Sequence, residues 1–302
     1  MRGIHYMRKI FLMAMLSIFT FILSSCSVSS NTQFAEMSQN YFRLQPRGSA
    51  ELERAFGLDD YEQIELAQRL MLLFDVLEDE MGAFICDTWN YQVIDGKPRY
   101  EYNLYEEYAP VQIDSYGQSI RVSEGYFIHN PIETSDGSNL LDGVIHMDDT
   151  MNILVPEQYR NLEEGIIRAF RERFYFDKIL VENIYNERQG EPLNTTEESE
   201  LNINIIYVKD GQSYFAYNRD IATKSSNLIT DPTVIIYTPN FHPIQIHAMM
   251  TRGIFVFDED RDIESLYKSI LFYAQNIDAD AETALEGILP LSDYGSAPLY
   301  QN

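Results

Sequence analysis

The residue best suited to covalent chemistry in this sequence is Cys26, which closes the run Leu23-Ser24-Ser25-Cys26. An aliphatic residue, two small residues and a cysteine match the cleavage box of bacterial lipoproteins. The small side chains let a peptidase approach the Ser25–Cys26 bond, and the thiol can form the stable thioether that ties a chain to diacylglycerol. The preceding segment fits that role. Arg2, Arg8 and Lys9 come before the apolar stretch Phe11 to Leu23, with no acid among them. That stretch falls within the roughly 7–15 residues of a signal peptide and short of the roughly 17–25 of a membrane-spanning helix. The sequence therefore predicts a lipoprotein signal peptide at 1–25, cleavage between Ser25 and Cys26, and lipidation of Cys26. The expected location is the extracytoplasmic face of the cell membrane, held by a lipid anchor that palmitate would label.

Other routes to chemistry are not signalled. G-x-S-x-G, G-x-x-x-x-G-K-[ST] and H-E-x-x-H, the marks of nucleophile elbows, phosphate loops and zinc helices, do not occur. His242 and His247 stand five apart. Pro243 argues against a helix start there, and in a strand the odd offset turns the rings to opposite faces, so surface or loop positions are expected rather than a metal pair. Asp258-Glu259-Asp260 and Asp148-Asp149 lack the spacing and central glycine of a calcium loop and read as solvated loops. No pair for glycoside chemistry stands out among 47 acids. The 21 tyrosines could line a sugar- or peptide-binding groove, but at hairpin spacing they more often pair across strands. The expectation is a protein with no catalytic residues, no metal and no cofactor.

Of 302 residues, 45% are hydrophobic and 13% aromatic, with 22 Lys+Arg against 47 Asp+Glu and a formal charge of −25. That is a globular composition able to bury a core without disulfides. Its acidity repels phosphate backbones and anionic headgroups, which argues against nucleic acid as a partner and against a polybasic membrane grip. Losing residues 1–25 removes basic residues and no acids, so the mature chain is more acidic still. Cys86 is the other cysteine. No intramolecular disulfide is available once Cys26 is acylated, and Cys86 reads as a small buried hydrophobe. Every apolar run after Cys26 is broken by charge or proline, so no later segment is expected to span a membrane.

These positions need elements to hold them. Residues 26–48, beginning with a small polar run after Cys26, read as a tether, and 49–302 as the extracytoplasmic domain, with two sub-domains that could divide near 110–150. Between Tyr61 and Glu80, Ile64, Ala67, Leu70, Met71, Phe74 and Leu77 recur at helical steps. Asp95-Gly96 and Asp210-Gly211 each lie between aromatic or alternating runs and predict β-hairpins, the second more strongly. MNILVP reads as a strand ending at Pro156 and feeding a helix from Leu162 to Phe174. TVIIYTP and IFVF read as short buried strands, DIESLYKSILFYAQN as an amphipathic helix and Asp278 to Ile288 as a further helix. Mixed elements without regular βαβ alternation favour the α+β class, an antiparallel or mixed sheet with packed helices. No internal repeat is visible.

One ordered set of segments goes further. NLLDGVIHMDDTMNILVPEQYRNLEEGIIRAFRERFYFDKILVENIYNERQGEPLNTT, then INIIYVKDGQSYFAYN and ITDPTVIIYTPN, resembles the extracellular region of the bacteriocin-associated integral membrane proteins, also described as bacteriocin immunity proteins. The likeness spans roughly residues 110 to 290 and is carried by ILVPEQYR, the V-K-D-G-Q-x-Y-F segment and the D-P-x-V-I-I-Y strand. Members of that family look like permeases of the FtsX-like, macrolide-exporter type, with one hydrophobic helix before the domain and three after it. The resemblance implies export, sensing or self-protection around secreted bacteriocins in Gram-positive bacteria. It also implies an ABC permease with its ATP-binding subunit, or a bacteriocin peptide, as partner. The sequence departs from the family where its first hydrophobic segment ends in the lipoprotein box and where Asn302 is reached without the three later helices. The leading expectation is a lipid-anchored domain that binds a peptide or a membrane partner; the alternative is the front fragment of a split ABC transporter permease. A cell-wall-acting enzyme is a weaker third reading, since no nucleophile, base or metal set starts it. An acidic domain would also attract a cationic peptide, with binding that weakens as salt rises.

Overall fold

The computed structural model describes residues 38–102, 113–218, 221, 227–260, 262–276 and 285–291. The signal segment, Ser25 and Cys26 lie outside the described residues. The first strand, β1 (Tyr41–Pro46), falls inside the segment expected to be a tether. Its Phe42 and Leu44 are buried, and the Arg43 guanidinium donates to the carbonyls of Thr251 and Arg252 at 3.1 Å each. The tether expectation is corrected on that point: by Tyr41 the side chains are apolar enough for the chain to enter a sheet.

After α1 (Ser49–Phe56) comes α2 (Asp60–Met81), the helix that the periodicity predicted. Asp59 caps it, accepting from the N–H groups of Tyr61 and Glu62, while the Glu62 carboxylate accepts from the Asp59 N–H at 2.9 Å. These reciprocal bonds satisfy donors that the first turn leaves unpaired. Gly82, at φ 62°, closes the other end in the left-handed conformation that a glycine adopts without strain. Ala67, Leu70, Phe74 and Leu77 are buried as expected, joined by Leu66 and Leu73, whereas Ile64 and Met71 are half-buried.

The remaining strands are β2 (Phe84–Asp87), β3 (Val93–Ile94), β4 (Lys97–Pro98), β5 (Ser119–Val122), β6 (Thr150–Pro156), β7 (Asn202–Val208), β8 (Ser213–Phe215), β9 (Leu228–Thr230), β10 (Thr233–Ile236), β11 (Ile254–Phe257) and β12 (Leu285–Pro290). The further helices are α3 (Tyr126–His129), α4 (Glu163–Tyr175), α5 (Val181–Gln189), α6 (Pro243–Arg252) and α7 (Ile263–Asn276). Eight strands form one sheet in the order β12-β1-β11-β2-β5-β10-β6-β7, antiparallel except for the parallel pairs β5 with β10 and β6 with β7. The protein is α+β. The sheet takes β1 and β2 from before residue 110 and the rest from after it, so the expected sub-domain division near 110–150 falls within a single sheet.

One face of this sheet carries α2, α4, α6 and α7 over Ile85, Ile153, Ile235 and Val256. On the other, Phe84, Cys86, Val122 and Phe255 meet Tyr126, Tyr214 and Tyr217. Those tyrosines are core: the Tyr217 ring meets Phe84 at 4.9 Å and Phe215 at 4.7 Å, edge to face. Cys86 is buried and free, as expected.

Three sequence expectations are corrected. Asp95-Gly96 does turn a hairpin, with φ 50° and 79°, between β3 and β4. Asp210-Gly211 does not: β7 pairs in parallel with β6, and β8 pairs with β9. The Asp231 carboxylate captures the Gly211 and Gln212 N–H groups while Asp210 accepts from the Gln158 N–H at 2.9 Å, so the chain leaves the sheet edge. Parallel pairing needs a crossover, and α4, a π turn at Phe176–Leu180 and α5 supply it. Residues 285–288 of the expected terminal helix belong instead to β12, which pairs with β1; 278–284 lie outside the described residues. Finally, Pro243 opens α6, where its missing N–H costs nothing, and His242 caps it by accepting from the Ile244 N–H. Among the described residues no helix is long and apolar enough to cross a membrane.

Candidate functional site

The helical face of the sheet is apolar except at its centre. Asp87, the last residue of β2, lies opposite Arg121 of β5, and Ile235 of β10 is next in register. Alternation sends their neighbours Cys86, Val122 and Ile236 to the other face and keeps Asp87 and Arg121 under the helices. Arg121 pairs with the fully buried Asp87 carboxylate at 2.6 Å. Arg252, the last residue of α6, pairs with the same oxygen at 3.2 Å. The second Asp87 oxygen accepts the Trp89 backbone N–H at 2.9 Å.

Trp89 stands between two more guanidinium contacts, Arg99 4.5 Å from its ring centre and Arg252 4.7 Å. From α4, Arg173 reaches in. It pairs with Asp177 one turn on, at 2.5 Å, and lies 4.4 Å over the Tyr116 ring. Asp177 belongs to the π turn, a local widening frequent at functional sites. Together with Asn90, Ser115, Tyr116 and Ser119, the four arginines line a cavity of ≈130 Å³.

The charges are unbalanced. Burial raises the Asp87 pKa, but Arg121, Arg252 and the Trp89 N–H outweigh it and hold the carboxyl below its ordinary value. Burial takes Arg121 down to about 10, with Arg252 and Arg173 adding to the fall against the pull of Asp87. Arg99 is lowered by partial burial and then by Arg252 and Arg173. It forms no ion pair among the described residues. Arg173 is buried too, but Asp177 and Tyr116 hold it above its ordinary value. Four guanidiniums around two carboxylates leave room for an incoming anion.

The serines are committed elsewhere. Ser119 donates to the Ser115 carbonyl at 2.7 Å and accepts from Asn90 at 2.8 Å. No histidine lines the cavity. The arrangement can therefore hold and orient an anion by charge and hydrogen bonds. Among the described residues no group of three metal-ligating side chains converges.

None of these residues was singled out in the sequence. The signals present were slight: an arginine inside the strand SIRV, an aspartate ending FICD and the single tryptophan. The positions that were singled out lie elsewhere. Cys26 and Ser25 are outside the described residues. His242 holds a half-buried loop position just before α6, as expected, stacked on Tyr185 at 5.3 Å, whereas His247 is 1% exposed inside α6 and departs from the loop or surface position expected. Asp148 pairs with Lys178 at 2.7 Å, Asp149 accepts from Asn202, and Asp258 accepts from the Asp260 N–H. Comparison of the chain with family models, curated proteins and solved structures returned no match.

Proposed function

We propose that this chain is a lipid-anchored, extracytoplasmic binding protein that captures its ligand by an anionic group in the four-arginine cavity. One observation carries the reading: in a chain of charge −25, four guanidiniums converge on one small cavity with two carboxylates, Asp87 and Asp177, among them. Attachment through Cys26 rests on the lipoprotein box. The likeness to the extracellular region of bacteriocin-associated permeases supports a peptide or an ABC permease as the partner class. The same likeness favours a second reading, the front part of a split permease, in which the domain serves membrane helices carried elsewhere.

Trp89 is the only tryptophan and lines the cavity, so its fluorescence reports occupancy. Titration with acetate and with inorganic phosphate should give saturable changes. Arg99→Gln should weaken them about tenfold, the value of one charge-assisted hydrogen bond. No response to either anion overturns the site. For the anchor, wild type should take up palmitate and Cys26→Ala should not; an unlabelled wild type overturns attachment. A permease co-purifying with the wild type from membranes would favour the second reading.

A further inference from the structure

The arginine cavity shares Ser115, Tyr116 and Arg173 with a second cavity of ≈420 Å³. The character changes across that shared wall. Ala169 and Tyr175 of α4 and Phe176 and Leu180 of the π turn supply an apolar surface, with Phe176 and Leu180 each 39% exposed. Asp114, Glu172 and Glu198 add acidic groups. Arg173 sits at the junction, its guanidinium 4.4 Å from the Tyr116 ring centre and 5.9 Å from that of Phe176. Asp114 lies at the shared wall, its carboxylate accepting the Tyr116 N–H at 2.8 Å, while Glu172 and Glu198 line the larger chamber together with the apolar side chains.

We infer that the ligand is the C-terminal end of a peptide, with its terminal carboxylate among Arg99, Arg173 and Arg252 and a large apolar last side chain in the chamber beyond Tyr116. This rests on the anion-binding reading above and narrows it. The smaller cavity has room for one compact anionic group. Arg121, Arg173 and Arg252 are each paired with a carboxylate. A guanidinium carries five N–H donors, so the spare donors of Arg173 and Arg252 join Arg99, which has no ion pair among the described residues, in meeting the anion. The larger chamber suits an apolar body directly beside the anion, and a C-terminal residue carries both on one carbon. The acidic groups oppose a second negative charge and favour backbone N–H groups or a basic side chain further up the peptide. A fatty acid offers nothing to Asp114, Glu172 and Glu198. A phosphate ester brings extra negative charge toward them.

The test uses the full chain purified in detergent, with Trp89 fluorescence as readout. The probes are an acetylated hexapeptide, lysine-glycine-lysine-glycine-glycine-phenylalanine with a free C-terminus, its C-terminal amide, and the version ending in alanine. The free acid should saturate. The amide should bind at least thirtyfold more weakly, and the alanine version about tenfold more weakly, in line with lost charge-assisted bonds and lost apolar burial. Arg99→Gln, which removes an exposed side chain with no ion pair among the described residues, should close most of the gap between acid and amide. Equal binding of acid and amide, or no preference for phenylalanine, overturns the inference. So does tighter binding of laurate or inorganic phosphate than of the free acid. If phosphate binds and the peptide does not, this inference fails while the anion cavity stands; if nothing perturbs Trp89, both fail.

Discussion

Asp87 and Glu78 are both shielded acids, yet they respond to pH in opposite senses. Asp87 has a depressed folded pKa, because two guanidiniums and a backbone N–H outweigh its burial. Its contribution to stability is thus fully present above the ordinary aspartate value of about 3.9 and is lost as pH falls through the lower folded value. Glu78 accepts from the Ser123 hydroxyl at 2.6 Å and the Gly125 N–H at 2.8 Å, but burial, with Glu124 and Asp75 nearby, still raises it. Its contribution is fully present below the ordinary glutamate value of about 4.3 and is lost as pH rises through the raised folded value. Urea unfolding from pH 2 to pH 7 should show both. Asp87→Asn should flatten the acid limb, and Glu78→Gln, whose carbonyl can keep both donors, should lift stability toward neutral pH. An unchanged acid limb in Asp87→Asn, or a Glu78→Gln protein less stable at pH 7, would contradict these assignments. Arg121→Ala breaks the buried pair outright and should cost about 3–5 kcal/mol in the same assay. The sequence did not reveal this group because the Asp87–Trp89 segment, Arg99, Arg121, Arg173 and Arg252 are spread along the chain. No spacing rule links residues that only sheet register and helix ends bring together.

Elements position these side chains through a few tight junctions. Gly253 joins α6 to β11 with no room for a side chain: a Cβ there would lie 2.6 Å from the Cys86 carbonyl oxygen and 2.7 Å from the Phe255 ring. The Cys86 N–H donates to the Gly253 carbonyl at 3.0 Å, and this contact sets the end of α6, and hence Arg252, over Asp87. Gly253→Ala should therefore destabilise by about 1–3 kcal/mol through overpacking. It should also weaken phosphate binding by displacing Arg252. A variant with wild-type unfolding and wild-type binding would show that the junction has slack. Local pattern made such elements readable where one rule dominated. The stripe of α2, the run of β6 and the positive-φ pair Asp95-Gly96 all appear where expected. Pattern failed where a distant group won. Asp231, twenty residues from Gly211, holds the expected second hairpin open, and β1 recruits 285–290 as a strand because it offers a free edge. Pro243 misled because a proline that blocks a helix interior is well placed at its first turn.

At the scale of the whole molecule, a basic cavity is set in an acidic body, and the two fields act over different distances. Exposed charges are screened beyond about 8 Å at physiological salt. At low salt the charge of −25 reaches well past the surface, attracting cations and repelling anions, whereas the guanidiniums act only on a ligand already at the cavity. A ligand with basic residues upstream of a terminal carboxylate satisfies both fields. The association rate of the lysine-bearing free-acid peptide should therefore fall about tenfold or more between 20 mM and 500 mM salt, as steered encounters do. The dissociation rate should change far less, because the carboxylate is held by partly buried guanidiniums that salt screens weakly. Replacing both lysines by serine should remove most of the salt dependence of association and leave the acid-over-amide preference in place. Stopped-flow Trp89 fluorescence measures both rates directly. Salt-independent association of the lysine peptide would mean that the acidic exterior plays no part in capture, and a salt-sensitive dissociation rate would move the binding charges from the cavity to the open surface.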